Sequence, residues 1–367
     1  MSVRELEHKY IDFVKSVLSP DRPFPKLCGD DEWMGLFSFC QKQTITGIVF
    51  DSLQRYYETV GKSIPSVLTL EWYAQAAQIR QRNLLINKRC GEVSAFFKDS
   101  GLQSCILKGQ GNATMYPNPL LRMPGDIDIW VEGTRKEIKQ VVFNKVGKTF
   151  EITHHIAFPL FEDADVEVHF TPGDMCNPFN DRILQKYYLD NRAEQMDNSI
   201  NLEGADTQVC IPLKGFNAIF ELSHIMYHFF IEGVGLRHFM DYYYLLLQGF
   251  SSEERMEYEK QINRLGMTSF AESVMWIEKE VLGLDDEYLL LPTYEKGGKL
   301  ILEEVIATGN MGHYDTRYPF RKRGIFARGM VDAYRNLQLA RVFPSEGLWK
   351  LFQKIVNQRW KIKDYFK

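Results

Sequence analysis

The sequence lacks any segment that could cross a membrane. No run of about 18 consecutive apolar residues occurs in it, although a membrane-spanning helix needs roughly that length. The first residues also lack the apolar stretch of a signal peptide. Charged and histidine residues interrupt the most apolar stretch, residues 216–250, so we predict a buried helical hairpin there. These absences predict a protein of the cytoplasm.

Cysteine and glycine motifs of common binding sites are missing too. The six cysteines include no Cys-x-x-Cys pair, which argues against a structural zinc site and favours buried thiols in a reducing compartment. Gly109 and Gly111 lack the third glycine of a dinucleotide-binding fingerprint. The net charge of −4 argues against a general nucleic-acid coat, because such proteins are basic throughout.

The spacing of apolar residues divides the chain into three regions. At 367 residues the chain is longer than one ordinary core requires. We predict a helical N-terminal region, an αβ core and a helical C-terminal region over residues 1–95, 96–205 and 206–367. In the core we predict strands, two of them paired as a hairpin, at residues 103–107, 126–131, 152–161 and 166–170. A charged helix is expected from Thr134. The fold class is therefore α+β, with a mixed β-sheet between helical regions.

Two aspartates share one face of the strand predicted at residues 126–131. Side chains alternate along a strand, so Asp126 and Asp128 point the same way, with Cα atoms about 6.5–7 Å apart. Carboxylates on one face repel each other, and burying them unpaired is unfavourable. A divalent cation removes this conflict, and oxygen ligands suit Mg²⁺. The alternative is a solvated edge strand, on which charges discourage aggregation.

The segment at residues 165–170 repeats this alternation. Glu167 and His169 share one face, and apolar residues occupy the other. If this strand lies beside residues 126–131, Glu167 supplies a third carboxylate. Three carboxylates can hold two Mg²⁺ ions for phosphoryl transfer. His169 would then orient Glu167 or contact a phosphate.

These segments together resemble a known family. The similarity to the uncharacterised bacterial nucleotidyltransferase family, within the DNA polymerase β-like superfamily, rests on Leu-Lys-Gly at 107–109, Tyr116–Pro117, Arg122 and Gly-Asp-Ile-Asp-Ile-Trp-Val at 125–131. Val-Glu-Val-His at 166–169 resembles the family's second acidic strand. The resemblance covers residues 85–250 and implies that the central sheet is of the nucleotidyltransferase type.

The resemblance also implies an activity and its residues. Such an enzyme transfers a nucleoside monophosphate from an NTP, for example ATP, to an acceptor hydroxyl and releases pyrophosphate. Its metal ligands here would be Asp126, Asp128 and Glu167. A turn at Gly109 would let phosphates approach the backbone, and further contacts to the nucleotide are expected from Lys108, Gln110, Arg122 and His169. Gln110 stands where the superfamily usually carries Ser or Gly.

Several histidines lie outside these motifs. His154 and His155 are neighbours in a predicted strand, so we expect them on opposite faces and only one of them near His169. His224 and His228 lie four residues apart and share a helix face. That spacing can bind zinc, but no His-Glu-x-x-His motif is present, and hydrogen bonds to a neighbouring helix are favoured.

The C-terminal region contains two charge patterns. Arg237 and Asp241 are four residues apart and form either an intrahelical pair or a wall of the acceptor pocket. Residues 317–367 carry 13 Lys or Arg against three Asp or Glu, interleaved with aromatic residues. Such a segment could contact RNA, a phosphorylated acceptor or an anionic membrane, or it could form a helical lid.

Three alternatives to a small-molecule nucleotidyltransferase follow from the same residues. The first is a catalytically inactive nucleotide-binding or interaction module. The second is a toxin- or defence-type transferase that acts on tRNA or protein, which the basic C-terminus would suit. The third is a metal-dependent phosphohydrolase, which needs several histidine ligands that we do not expect to converge here.

Overall fold

The computed structural model describes residues 3–61, 64–318 and 324–352. Within them the helices are α1 (Val3–Leu18), α2 (Asp30–Lys42), α3 (Thr46–Asp51), α4 (Leu53–Val60), α5 (Ser66–Asp99), α6 (Gly109–Ala113), α7 (Arg135–Val146), α8 (Pro178–Asp190), α9 (Arg192–Asp197), α10 (Lys214–Ile231), α11 (Leu236–Leu246), α12 (Ser252–Arg264), α13 (Thr268–Trp276), α14 (Glu295–Thr308) and α15 (Ile325–Ala340). The strands are β1 (Ser104–Leu107), β2 (Ile127–Val131), β3 (His155–Ala157), β4 (Val166–His169), β5 (Ser199–Ile200) and β6 (Val209–Cys210). The α+β prediction is confirmed. None of the described helices has the length and apolar character that crossing a membrane requires.

A four-stranded mixed sheet, with order β1-β2-β4-β3, forms the centre of the protein. β2 runs parallel to β4, while β1–β2 and β3–β4 are antiparallel pairs. The predicted strands and hairpin are confirmed, although β3 is shorter than the predicted segment 152–161. The predicted start of a helix near Thr134 is also confirmed, because the Thr134 and Glu137 side chains form a capping box before α7.

The two faces of the sheet bury different sets of side chains. Toward α5 and α7, Ile127, Ile129 and Val131 of β2 join one hydrophobic cluster. Toward α10, Trp130 joins a second and larger cluster, and its ring stacks on Phe216 with centroids 5.8 Å apart. The polar residues of β2 and β4 lie on this second face, since their sequence positions alternate with the apolar ones.

Helices from both ends of the chain share the larger hydrophobic cluster. Phe13 of α1 and Val305 of α14 belong to it together with α10 and α11 residues. Polar contacts reinforce this packing, because Lys15 Nζ donates to Glu280 O at 3.0 Å and Gln43 Nε2 donates to Val305 O at 3.0 Å. The N-terminal and C-terminal helices therefore support one another beside the sheet. The predicted hairpin at residues 216–250 corresponds to α10 and α11.

The N-terminal helices also hold the loop that leads into β2. Asn83 Nδ2 of α5 donates to Leu120 O at 2.7 Å and to Arg122 O at 2.8 Å. On the other side, Gly47 of α3 approaches the same loop so closely that an added Cβ would lie 2.2 Å from Leu121 O. This packing fixes the chain directly before the aspartate strand.

The close approach of Gly47 predicts a steric cost for any larger residue. Gly47→Ala should destabilise the protein by about 1–3 kcal/mol, because the loop backbone must move to admit the methyl group. Gly215→Ala is the matched control, since a Cβ at this position of α10 meets nothing within 4 Å. The control should be neutral or stabilising by up to about 1 kcal/mol. Urea unfolding followed by circular dichroism measures both, and equal midpoints for the two variants would contradict the packing.

Candidate active site

Asp128 is a buried carboxylate with two donors. The register of β2 and β4 places it directly beside Glu167. Lys108 Nζ lies 3.0 Å from Asp128 Oδ2, and His169 Nε2 lies 2.8 Å from Asp128 Oδ1. Only 6% of the Asp128 side chain is exposed. The carboxylate is therefore held by partners that compensate its charge.

The electrostatics of this group favour an ionised Asp128. Burial alone would raise the pKa of Asp128, but the charge of Lys108 and the hydrogen bond from His169 outweigh it and hold the pKa well below its usual range. Burial lowers the pKa of His169. Asp126 lies at the exposed end of the strand, and repulsion from the Asp128 charge raises its pKa to about 6.

Asp128, Glu167 and His169 each offer one ligand atom to a common position, and these atoms lie within 4.8 Å of one another. Glu167 Oε2 is 3.0 Å from His155 Nδ1 and 3.7 Å from His169 Nε2. Asp126 lines the same cleft. The structure thus brings the three carboxylates singled out in the sequence to one cleft, with Asp128 and Glu167 close enough to share an ion.

The prediction that His154 and His155 face opposite sides is wrong. Their ring centroids lie 5.5 Å and 5.3 Å from that of His169. The reason is that β3 begins at His155, so His154 precedes the regular alternation of the strand. Asp174 holds His154 in place, with 2.8 Å between His154 Nδ1 and Asp174 Oδ2. The three histidines that we did not expect to converge therefore meet at the cleft.

The cleft has a volume of about 250 Å³ and lies between the polar face of the sheet and helices α10 and α11. The helical wall includes Glu221, His224, Tyr227, His228, Arg237 and His238. Glu221 is buried and accepts a hydrogen bond of 2.8 Å from Asn112 Nδ2. Burial, with the Asp241 charge, raises the pKa of Glu221 to about 7. His228 bonds within its own helix, to Glu232 at 3.0 Å, instead of to a neighbouring one.

Arg122 forms a buried ion pair. Its Nε and Nη2 donate to the two oxygens of Asp241 at 2.7 Å and 2.6 Å, and Tyr116 Oη donates to the same carboxylate at 2.6 Å. Asp241 therefore occupies the Arg122 guanidinium, for which a contact to the triphosphate was predicted. The intrahelical pair expected between Arg237 and Asp241 is replaced by the Arg122–Asp241 pair. The ion pair ties the loop before β2 to α11.

Arg237 lies beside this pair and lines the cleft. Its Nη1 donates to Met123 O at 2.9 Å. Its Nε is buried and has no hydrogen-bond partner within the described part of the chain. The spacing from Asp241 left an intrahelical pair and a pocket wall as alternatives for Arg237, and it could not show that Arg122 would take the carboxylate of Asp241 instead. Arg237 is thus a cation in the wall of the cleft, which agrees with the second of the two alternatives that the sequence left open for it.

Gln110 is turned away from the predicted phosphate position. It is buried against α5, where its Nε2 donates to Asn83 Oδ1 at 3.2 Å and also contacts Asn87 Oδ1. Gly109 does line the cleft, and its φ of +34° follows a positive φ at Lys108. Helix α6 starts at Gly109, directly after this turn, and directs Gln110 inward.

Two arginines in the described part of the basic C-terminus are paired with acids. Arg317 Nη1 and Arg335 Nε lie 2.5 Å and 2.6 Å from the carboxylate of Glu304. Arg317 Nη2 also lies 3.0 Å from Asp315 Oδ2. Residues 319–323 and 353–367 of the predicted basic segment lie outside the described residues. The proposed RNA contact through residues 317–367 stays a prediction.

Comparison with known proteins identifies the family of this chain. Residues 29–283 match the sequence model of the uncharacterised nucleotidyltransferase family, and the chain belongs to that family. A solved structure of an antigenic nucleotidyltransferase-like protein from Paracoccidioides brasiliensis aligns over 52% of this chain and 88% of that chain. Its sequence identity is 10% and its TM-score 0.29, a value too low to establish a shared fold. No functionally curated protein matches the chain.

The Arg122–Asp241 pair predicts a large stability effect. Asp241→Asn should cost about 3–5 kcal/mol, because it leaves the buried Arg122 charge uncompensated. Glu257→Gln is the control, since it removes an ion pair with Lys260 in which both side chains are more than half exposed. That substitution should cost less than about 1 kcal/mol. If Asp241→Asn and Glu257→Gln lose the same free energy of unfolding in urea, burial of the Arg122–Asp241 pair does not increase its contribution to stability.

Proposed function

We propose that the protein is a Mg²⁺-dependent nucleotidyltransferase that moves a nucleoside monophosphate from an NTP to the hydroxyl of an unidentified acceptor and releases pyrophosphate. The observation that carries this proposal is the parallel register of β2 and β4, which sets Asp128 beside Glu167. Asp126 completes the carboxylate set at the exposed end of the same strand. Membership of the nucleotidyltransferase family supports the reaction class.

The donor set fits a divalent cation. Asp126, Asp128 and Glu167 supply carboxylate oxygens, which Mg²⁺ prefers. Two bound ions would neutralise the triphosphate charge and lower the pKa of the acceptor hydroxyl. Glu167, half-buried beside two histidines, either binds metal or accepts the hydroxyl proton. Lys108 and His169 already contact the Asp128 carboxylate and hold it in position. A cation that binds Asp128 would take the place of these contacts.

Two cations of the cleft are suited to the triphosphate. Lys108 projects into the cleft from the turn before Gly109, and burial of its ammonium is offset by Asp128 and Asp126, which raise its pKa and keep it charged. Arg237 offers a guanidinium with an unsatisfied Nε. Charge-assisted hydrogen bonds from such groups to phosphate oxygens are about twice as strong as neutral ones. Arg122 cannot serve in this way without leaving Asp241.

The helical wall suits the acceptor. Burial lowers the pKa of His238 to about 3 and that of His224 well below its usual value. Both rings are therefore neutral near pH 7, and each offers one hydrogen-bond donor and one acceptor. Neutral imidazoles beside Glu221 favour a hydroxyl-bearing group over an anion. We accordingly propose an uncharged, polar acceptor moiety at this end of the cleft.

The reaction is tested by incubating the protein with each α-³²P-labelled NTP, Mg²⁺ and a cell extract as acceptor pool. Wild type should label an acceptor, and Asp128→Asn and Glu167→Gln should lower the rate by at least about 100-fold, since each removes a proposed metal ligand. Glu257→Gln, on the surface of α12, should retain full activity. Circular dichroism of each variant separates loss of chemistry from loss of fold.

Other outcomes of this assay identify the alternatives. NTP binding without Mg²⁺ dependence, and without transfer, would indicate an inactive nucleotide-binding module. Label on tRNA or protein would indicate a toxin- or defence-type transferase. Absence of both label transfer and Mg²⁺-dependent NTP binding in the folded wild type would refute the proposed function.

Arg237 provides a sharper test of the substrate position. Arg237→Met should raise KM for the NTP by about 10–100-fold, because one charge-assisted hydrogen bond contributes about 1.5–3 kcal/mol. Arg264→Met, at an exposed position of α12, is the matched control and should leave KM unchanged. Steady-state kinetics with the labelled NTP measures both. An unchanged KM in Arg237→Met would remove Arg237 from the nucleotide site.

A metal-dependent phosphohydrolase is the second candidate, and the convergence of His154, His155 and His169 favours it. Such an enzyme would hydrolyse the NTP with water as the acceptor. Labelled nucleoside mono- or diphosphate would then form without any labelled acceptor. The same α-³²P assay, run with and without the extract, distinguishes the two reactions.

A further inference from the structure

Three imidazoles meet at one side of the cleft. His154, His155 and His169 each present a ring nitrogen, and the three atoms lie within 4.8 Å of one another. His154 and His169 are buried, and His155 is half-buried. His154 lies in a bend, His155 at the start of β3 and His169 at the end of β4. The spacing of residues within a single element therefore does not predict that the three rings meet.

Each of these rings has an oxygen atom beside its Nδ1. Asp174 Oδ2 lies 2.8 Å from His154 Nδ1, Glu167 Oε2 lies 3.0 Å from His155 Nδ1, and Thr171 O lies 3.3 Å from His169 Nδ1. A carboxylate or carbonyl on one ring nitrogen orients the other toward a metal, and this arrangement accompanies most metal-ligating histidines. For His154 and His169 this leaves Nε2 as the ligand atom, and that of His169 already lies 2.8 Å from Asp128 Oδ1. His155 Nδ1, by contrast, is buried and makes no hydrogen bond to the described residues, so this nitrogen is itself available as a ligand.

We propose that His154, His155 and His169 form a site for a divalent transition metal of the Zn²⁺ class, beside the carboxylates that would hold Mg²⁺. Imidazole nitrogen suits Zn²⁺, whereas Mg²⁺ takes oxygen ligands. Three histidine ligands with an open fourth position are typical of catalytic zinc sites, and the cleft supplies that open position. A cation here would lie next to Glu167 and the proposed reacting groups.

This proposal shares His169 with the proposed transferase centre but rests on the imidazole geometry and not on nucleotidyl transfer. The two can therefore fail separately. If the histidines serve only to hold Asp128, Glu167 and Asp174 in place, the site binds no transition metal and removal of one ring changes stability alone. Metal binding is the readout that separates these cases.

The experiment uses the full-length protein, freed of metal by chelation and titrated with Co²⁺ as a spectroscopic substitute for Zn²⁺. Wild type should take up one Co²⁺ with visible d–d bands of a nitrogen-ligated, low-coordinate ion, and Zn²⁺ should displace it. His154→Gln should weaken Co²⁺ binding by at least about 100-fold, because it removes a ligand. Asp174→Asn should weaken it by about 10–100-fold, because it removes only the orienting carboxylate.

His228→Gln is the matched control, since this histidine lines the same cleft outside the trio. It should bind Co²⁺ as wild type does. No d–d bands in folded wild type, or equal Co²⁺ affinity in wild type and His154→Gln, would overturn the proposal. Transfer of label with Mg²⁺ alone, in a protein that binds no Co²⁺, would leave the transferase standing and reject the histidine site. Co²⁺ binding without label transfer would support the histidine site and reject the transferase.

Discussion

The parallel pairing of β2 with β4 is the constraint on which the site depends. Parallel neighbours cannot be joined by a tight turn, so the chain leaves β2 through α7 and returns through β3 before it forms β4. The pairing sets Asp128 beside Glu167 and Trp130 beside His169. A slip of one residue would turn these polar side chains into the apolar cluster on the other face. The register that buries the apolar side chains is therefore also the one that places the site residues side by side.

Charge compensation allows this face to be buried before any ligand binds. Asp128 lies between Lys108 and His169, and Glu167 lies against His155. A carboxylate without such partners would be expensive to remove from water. The same contacts would compete with a bound cation, because such a cation would have to replace interactions that already stabilise the carboxylates. The polar groups of the cleft are thus held in position by contacts within the protein.

Arg122 and Arg237 have similar surroundings, but only Arg122 binds the carboxylate of Asp241. Arg122 takes both oxygens of Asp241, with Tyr116 as a third donor. Arg237, in the same helix as Asp241, is left with a backbone carbonyl and an unsatisfied Nε. The first arginine therefore joins the loop before β2 to α11. The second retains an unsatisfied Nε. Asn83 and Gly47 hold the loop against which both arginines are positioned.

The features of this protein that depend on neighbouring residues could be predicted from the sequence alone. Alternation along residues 126–131 and 166–169 assigned Asp126, Asp128, Glu167 and His169 to one side of their strands, because strand periodicity depends only on neighbours. The capping pattern at Thr134 likewise set the start of α7, and the helical spacing of residues 216–250 predicted the α10–α11 pair. Which side chains from distant parts of the chain contact these residues became clear only from the tertiary structure. Asp241 binds a guanidinium 119 positions earlier, Gln110 turns toward α5, and His154 joins His169 because β3 starts at His155 and not at residue 152, where the pattern places it. Such choices rest on competition between contacts far apart in the chain, and a local period carries no information about them.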